Sequence, residues 1–175
     1  MSEENNGEKK VDHSKDDFAA IWRTLSRIDC ADHVERKTVK GVGLKYLSWT
    51  WAWSITMSIY PGATFGIREW DDKPWLCDEH AGYLVMTDVT INGNTRTMWL
   101  PVMDHGNNAM KNEPYSIKTR NGETRVGAID MMAINKAIMR CLVKNLALFG
   151  LGINIYAGED IPVGDKLEAN ADVDF

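Results

Sequence analysis

One long, broadly apolar segment constrains the fold of this chain more than any other stretch. From Asp130 onwards the sequence reads DMMAINKAIMRCLVKNLALFG, and its periodicity predicts a helix of about twenty residues that ends at Gly150. At about 3.6 residues per turn, Lys136, Arg140 and Lys144 form one stripe, and nearly every other position is apolar, including the two methionines after Asp130. A helix with so little polar surface is mostly buried. Its cationic stripe is therefore either a solvated face of a core helix or a wall that an anion approaches.

Length and composition predict one globular domain. The chain has 175 residues, of which 44% are hydrophobic and 26% are charged, which is enough to bury a core. No apolar run is long enough to cross a membrane, and the polar N-terminus lacks an apolar signal segment, so we expect a cytoplasmic protein. Three widely spaced cysteines fit a reducing compartment, and Cys77 and His80 resemble half of a metal site without a second half. We therefore expect no metal or other cofactor.

The net charge of −5 is concentrated at the C-terminal end of the chain. Residues 158–175 alone carry −5, whereas residues 16–157 carry +1. Within that central part, basic residues gather in the tracts 33–50 and 105–147. An acidic total charge therefore does not exclude a nucleic-acid partner. We predict a disordered polar tail over residues 1–15, one domain over residues 16–162, and a disordered acidic tail over residues 163–175.

An Asn-Gly turn predicts the central hairpin of the domain. Asn92-Gly93 separates two alternating segments, Tyr83–Ile91 and Asn94–Met103, and such a turn is the strongest short-range hairpin signal. Pairing counted back from the turn places Val85 opposite Leu100 on an apolar face. We expect that face to pack against the long helix.

The remaining periodicities complete the predicted fold class. Amphipathic patterns indicate two N-terminal helices over residues 14–29 and 46–60, followed by a strand at residues 64–70. A second Asn-Gly turn at residues 121–122 indicates a second, basic hairpin. We expect Cys30–Lys45 to be an irregular basic loop and Ile153–Tyr156 to be a short buried strand. The prediction is an α+β fold in which a short antiparallel sheet packs on the long helix, with an N-terminal helix pair and the second hairpin.

Basic residues near exposed aromatic residues are typical of nucleic-acid binding, because cations contact phosphates and aromatic rings stack on bases. The tryptophans of the second helix, Trp49, Trp51 and Trp53, are either core residues or stacking platforms. The candidate DNA-binding residues are Lys136, Arg140 and Lys144 of the long helix, Lys118, Arg120 and Arg125 of the second hairpin, Arg36, Lys37, Lys40 and Lys45 of the basic loop, and Trp51.

No motif of the chain predicts catalysis. Asp104 and His105 could exchange protons, but no nucleophile or second carboxylate stands at a suitable spacing, and no glycine-rich nucleotide-binding loop is present in the sequence. We expect a protein that is not an enzyme. Two alternatives stay open: a protein-interaction module that does not bind DNA, and a metal-dependent nuclease that uses Asp88, Asp104, Glu159 or Asp160.

Several short motifs, taken in order, resemble phage single-strand annealing proteins of the Sak type. They are DHVERK from Asp32, YLSW from Tyr46, LPVMD from Leu100, and the segment from Ile134 to Pro162 with INK, RCLVK and FGLGINIYAGEDIP. The last segment also resembles the helix and glycine turn of the eukaryotic Rad-fifty-two annealing domain. The resemblance covers almost the whole predicted domain.

This resemblance implies a Rad-fifty-two-like fold with a β-β-β-α core, assembled into a ring or a helical filament. It implies a protein of phage DNA recombination and repair that uses no ATP and holds single-stranded DNA in a basic groove with the bases exposed. Arg140 and Lys144 fall where the helix cations of that groove are expected, and Lys136 lies one turn earlier. The implied partners are single-stranded DNA and further copies of the chain. We expect no association with a membrane.

The last five residues, ADVDF, resemble the acidic tip of bacterial single-strand binding proteins. Three interpretations stay open: the tail competes for host partners of such a tip, it folds back over the basic groove, or it only increases solubility. The partners of the host single-strand binding protein are therefore candidate protein partners, and the resemblance to phage annealing proteins adds a phage exonuclease.

Overall fold

The protein has an α+β fold, as the sequence predicts. The structure is a computed structural model that describes residues 13–39, 42–119 and 122–156, and within them it contains three α-helices and three small antiparallel sheets. Lys40, Arg120, Glu159, Asp160 and the predicted acidic tail lie outside these residues, as do residues 1–12 of the predicted N-terminal tail. The Rad-fifty-two-like assignment stays a prediction.

The elements are short apart from β5 and the three helices. In chain order they are α1 (His13–Leu25), β1 (Val34–Val39), β2 (Val42–Leu47), α2 (Trp49–Ile59), β3 (Thr64–Ile67), β4 (Leu76–Asp78), β5 (Gly82–Ile91), β6 (Asn94–Pro101), β7 (Tyr115–Thr119), β8 (Gly122–Val126) and α3 (Met131–Ala147). Two 3-10 helices, Ala31–His33 and Ile153–Ile155, follow α1 and α3.

β5 is the central strand of the largest sheet. β6 pairs with one edge of β5, and β3 and β4 pair in succession with the other edge. The register of β5 and β6 places Val85 opposite Leu100 and Val89 opposite Arg96. Asn92 and Gly93 at the turn both have positive φ angles, 48° and 75°, as a type I′ turn requires. The predicted hairpin and its register are confirmed.

α3 packs across this sheet and joins two clusters of buried apolar residues. Ile134 and Ile138 of α3 meet Val85 of β5 in one cluster, while Leu142 and Leu146 belong to the other. Leu142 and Leu146 are fully buried, and burial of such a side chain stabilises the fold by about 1.5–3 kcal/mol. The long helix is therefore a core element on most of its surface, as predicted.

Both ends of α3 are defined by specific contacts. The side chain of Asp130 accepts a hydrogen bond from the backbone nitrogen of Ala133 at 2.8 Å, which is an N-cap. After α3 the chain turns at Gly150, where φ is 107°. A Cβ atom at Gly150 would lie 3.0 Å from the backbone nitrogen of Ser26 and 3.0 Å from the carbonyl oxygen of Trp22. Glycine is therefore required where the chain passes the end of α1.

The predicted irregular loop Cys30–Lys45 is wrong. β1 and β2 form a regular antiparallel hairpin in which Val34 lies opposite Leu47, and both residues pack in the core. Because Tyr46 and Leu47 belong to β2, the second helix begins at Trp49 and not at Tyr46. The predicted N-terminal helix pair is present as α1 and α2, but this hairpin separates the two helices in the chain.

Two further expectations around α3 are wrong. Ile153–Tyr156 does not form a strand; the 3-10 helix there follows Gly152, whose φ of 63° turns the chain out of an extended path. Met131 and Met132 are not part of the buried surface of the helix, because both lie in its first turn and are largely exposed.

We predict that Gly150→Ala lowers the free energy of unfolding by about 1–3 kcal/mol. The alanine would have to adopt a positive φ, and its Cβ atom would lie too close to the backbone atoms of α1 and Ser26. Gly127→Ala is the matched control, since a Cβ atom there meets nothing within 4 Å. Urea unfolding of both variants measures the difference. Equal stability of the two variants would contradict this account of the turn.

Candidate nucleic-acid interface

The polar strip of α3 forms one side of an open groove of about 770 Å³. The other lining residues come from several separate parts of the chain: Glu35 of β1, the β2–α2 junction at Tyr46–Trp49, Met103–His105 with Asn107 and Met110 after β6, Val126 of β8, Asp130, and Tyr156 beyond α3. The fold therefore assembles this groove around the helix that the sequence singles out.

The three predicted cations of α3 all line the groove. Lys136 is exposed, and Arg140 and Lys144 are half-buried. At about 1.5 Å of rise per residue, the row from Lys136 to Lys144 is about 12 Å long. Ala133 and Ala137 line the groove beside these residues, and their small side chains leave room for a ligand.

Aromatic rings hold the two half-buried cations in place. The guanidinium carbon of Arg140 lies 4.9 Å from the ring centre of Tyr46, and the ammonium nitrogen of Lys144 lies 5.4 Å from that of Tyr156. Cation–π contacts of this length contribute about 0.5–1 kcal/mol at exposed sites and more when water is excluded. Neither tyrosine is predicted as a site residue from the sequence, because their contacts depend on the fold and have no local sequence signal.

Two of the three carboxylates in the groove are engaged in local structure. Asp130 caps α3, where the helix dipole favours its negative charge. Asp104 is buried and accepts hydrogen bonds from within its own loop and from β7. Glu35 of β1 is exposed and lies opposite Tyr46 in the hairpin. The groove is therefore cationic along α3 and carries one open carboxylate on the β1–β2 side.

Asp104 organises the loop that borders the groove. Its Oδ1 accepts from the backbone nitrogens of Gly106 (2.8 Å) and Asn108 (2.9 Å), and its Oδ2 accepts from the hydroxyl of Tyr115 (2.9 Å). Burial raises the pKa of the Asp104 carboxyl, but the hydrogen bonds from Asn108, Tyr115 and Gly106 outweigh burial, so this pKa lies below its usual value. Burial and the same contact raise the pKa of Tyr115 to about 12. These contacts give Asp104 a structural role.

Four other predicted cations, Lys118, Arg125, Arg36 and Lys45, do not line this groove. Lys118 and Arg125 are exposed on the face of the β7–β8 hairpin opposite to buried Val126. Arg36 and Lys45 lie directly across from each other on β1 and β2, and both are exposed. Lys37 belongs to β1. The structure thus divides the predicted sites among the groove and two hairpins.

The tryptophans of α2 have three different environments. Trp51, the predicted stacking residue, is half-buried and its ring stacks on His33 with centroids 4.3 Å apart. Trp53 packs edge-on against Phe65 at 5.0 Å. Trp49 lines the groove and is 43% exposed. The role of Trp51 stays a prediction, and Trp49 is the residue of α2 that the structure brings to the α3 cations.

The described residues contain no group of three or more His, Cys, Asp or Glu side chains that could hold a metal ion. Asp88, one of the candidate nuclease carboxylates, accepts a hydrogen bond from Thr97 and pairs with Arg68 at 3.5 Å. Over residues 13–39, 42–119 and 122–156, no helix is long and apolar enough to cross a membrane.

In a comparison with known protein families, one family model matches most of the chain. The family model described as "Sak Single Strand Annealing Protein" matches residues 20–174. No curated protein matches the chain. The matched range includes every described element except the beginning of α1.

We predict that Tyr115→Phe lowers the free energy of unfolding by about 1–3 kcal/mol at neutral pH, because Asp104 loses a donor to its charged form. The lowered pKa of Asp104 stabilises the fold above about pH 4 and this contribution is lost as the pH falls through the folded-state pKa. The difference from the unsubstituted protein should therefore shrink in acid.

Chemical denaturation at neutral and acidic pH measures this difference. Ser116→Ala, at the exposed neighbouring position on β7, is the control and should have little effect at either pH. A Tyr115→Phe effect that is independent of pH would contradict the role assigned to Asp104.

Proposed function

Because this chain belongs to the Sak single strand annealing protein family, we propose that it binds single-stranded DNA in the groove beside α3 and pairs complementary strands without ATP. The observation that carries the proposal is the row of Lys136, Arg140 and Lys144 along one open groove. The resemblance of the sequence motifs to phage annealing proteins also places the DNA-binding cations on α3. The β-β-β-α core of the proposed Rad-fifty-two-like fold is then β3, β5, β6 and α3, with β4 and β7–β8 as insertions.

Annealing requires binding that does not read the base sequence. Contacts from lysine and arginine to phosphates are independent of sequence and weaken as salt rises. In a plot of the logarithm of the binding constant against the logarithm of the salt concentration, each contacted phosphate of a single strand contributes about −0.7 to the slope. A strand held by its phosphates keeps its base edges free to test a second strand. Duplex formation releases the free energy that drives the reaction, so this mechanism needs no nucleotide cofactor.

Self-association extends the short groove of one protomer. A row of cations about 12 Å long contacts only a few nucleotides, so useful affinity requires several protomers side by side. The sheet face away from α3 supports such assembly, because Trp99 is 58% and Leu76 41% exposed there. We propose a ring or filament built with this face among its contacts.

The two exposed hairpins offer a continuation of the DNA path. Arg36 and Lys45 are like charges placed directly opposite each other, an arrangement that destabilises a hairpin and that a bound phosphate would relieve. Lys118 and Arg125 are exposed on the second hairpin.

In this proposal the protein acts in phage recombination and repair in the host cytoplasm, beside a phage exonuclease and the partners of the host single-strand binding protein.

We predict that the triple variant Lys136→Ala, Arg140→Ala, Lys144→Ala loses most single-strand affinity and annealing. Three lost phosphate contacts reduce the log–log salt slope by about 2. Fluorescence anisotropy of a labelled strand at several salt concentrations measures both quantities.

The matched control removes three cations outside the groove, Arg23, Arg27 and Lys73, which are exposed on other surfaces. This control has the same net charge as the groove variant and should retain the slope and the annealing rate. Equal losses in both variants would show that net charge matters and the groove does not.

We predict that Tyr46→Ala weakens single-strand binding by about two- to tenfold, because Arg140 loses the ring that positions it. Tyr46→Phe keeps the ring and should bind like the unsubstituted protein. The same anisotropy assay compares the two variants, with urea unfolding as a check on folding. Identical binding by the alanine and phenylalanine variants would refute the positioning role of Tyr46.

A further inference from the structure

Trp49 presents a partly exposed aromatic ring to the groove. It is the first residue of α2 and is 43% exposed. In the described part of the chain, Trp51 stacks on His33 and Trp53 packs on Phe65, whereas no ring stack or cation–π contact involves Trp49. An aromatic side chain buries about 150–250 Å² when it is covered. The exposed part of the Trp49 side chain is therefore surface that a ligand in the groove can cover.

The two tyrosine rings of the groove each carry a cation. Arg140 lies over Tyr46 and Lys144 over Tyr156, so these rings serve to position cations. Of the described tyrosines and tryptophans that line this groove, Trp49 is the one with no cation over its ring.

An apolar surface accompanies Trp49 in the groove. Met132 is 62% exposed, and Met103 and Met139 are half-buried along the same lining. The groove thus combines a row of positive charges with a flat ring and flexible thioether side chains. Single-stranded nucleic acid complements both parts, because it carries a regular series of negative charges beside flat, apolar base faces.

We infer that Trp49 stacks on a nucleobase of the strand whose phosphates contact α3. This inference rests on the proposed function and deepens it by assigning a base-binding position to the same groove. Stacking uses the face of a base and leaves its hydrogen-bonding edge free, so a stacked base can still pair with a second strand. The contact holds the strand in the groove without selecting a sequence, because every base has such a face.

The experiment compares two probes of equal length: an oligodeoxythymidine and an abasic strand that has the same sugar-phosphate backbone without bases. Trp49→Ala should weaken binding of the oligodeoxythymidine by about five- to a hundredfold, the range for one stacked base, and leave abasic binding unchanged. Trp49→Phe keeps a flat ring and should restore part of the lost affinity. Trp22→Ala, an exposed tryptophan of α1 outside the groove, is the matched control and should affect neither probe.

Three results would overturn the inference. Unchanged binding of both probes by Trp49→Ala would show that the ring makes no contact with a base. Equal weakening of both probes would show that Trp49 acts through folding or through a contact with another protomer. Absence of binding to either probe by the unsubstituted protein would remove the proposed function and the inference together, which distinguishes that failure from the first two.

Discussion

The side-chain amide of Asn145 fastens α3 to two strands at once. Its nitrogen donates to the carbonyl oxygen of Thr87 on β5 at 2.8 Å and to that of Arg96 on β6 at 3.0 Å, in a fully buried position. One turn earlier, the thiol of Cys141 donates to the carbonyl oxygen of Met98 at 3.2 Å. Loss of a partner for a buried polar group costs about 1–3 kcal/mol, so these contacts strongly favour one rotation of the helix.

That fixed rotation determines where the cations lie. Each cation of the stripe directly precedes a buried residue, since Lys136, Arg140 and Lys144 are followed by Ala137, Cys141 and Asn145. Successive residues on a helix are about 100° apart, so residues that face the sheet turn their predecessors towards the groove. Packing of the core and presentation of positive charge are therefore two consequences of one helix orientation.

The groove keeps a cationic side because two of its three carboxylates, Asp104 and Asp130, are engaged in local structure. Asp130 caps the helix, and Asp104 accepts hydrogen bonds from its loop and from Tyr115, so both negative charges are stabilised by fixed donors. The tyrosines beside α3 hold Arg140 and Lys144 over their rings. A polyanion bound in this groove, as proposed, would meet cations whose positions are set before binding, which would reduce the conformational entropy lost on association.

The sequence predicts those parts of the fold that have a local signal. Asn-Gly turns locate the β5–β6 and β7–β8 hairpins, and the count from Asn92 also gives the register of β5 and β6. The β1–β2 hairpin was missed because its glycines, Gly41 and Gly43, are equally typical of an irregular loop. Periodicity placed the α3 stripe correctly.

Tyr46 and Trp49 illustrate what sequence reasoning about the groove could not supply. Tyr46 contacts Arg140, and Trp49 lines the same groove as α3, although α3 lies almost a hundred positions further along the chain. Both placements depend on how β2 and α2 pack, and no sequence spacing encodes that packing. Asn145 was also missed, because one polar residue in an apolar helix gives no sign of the two strands that it joins.

Cross-linking tests most directly whether α3 is the floor of a single-strand site. Ultraviolet irradiation of the protein bound to oligodeoxythymidine, followed by mass spectrometry, identifies the peptides that touch the strand. The account predicts cross-links in residues 131–144 of α3 and in Tyr46–Trp49. Cross-links confined to the β1–β2 and β7–β8 hairpins, with none in α3, would contradict it.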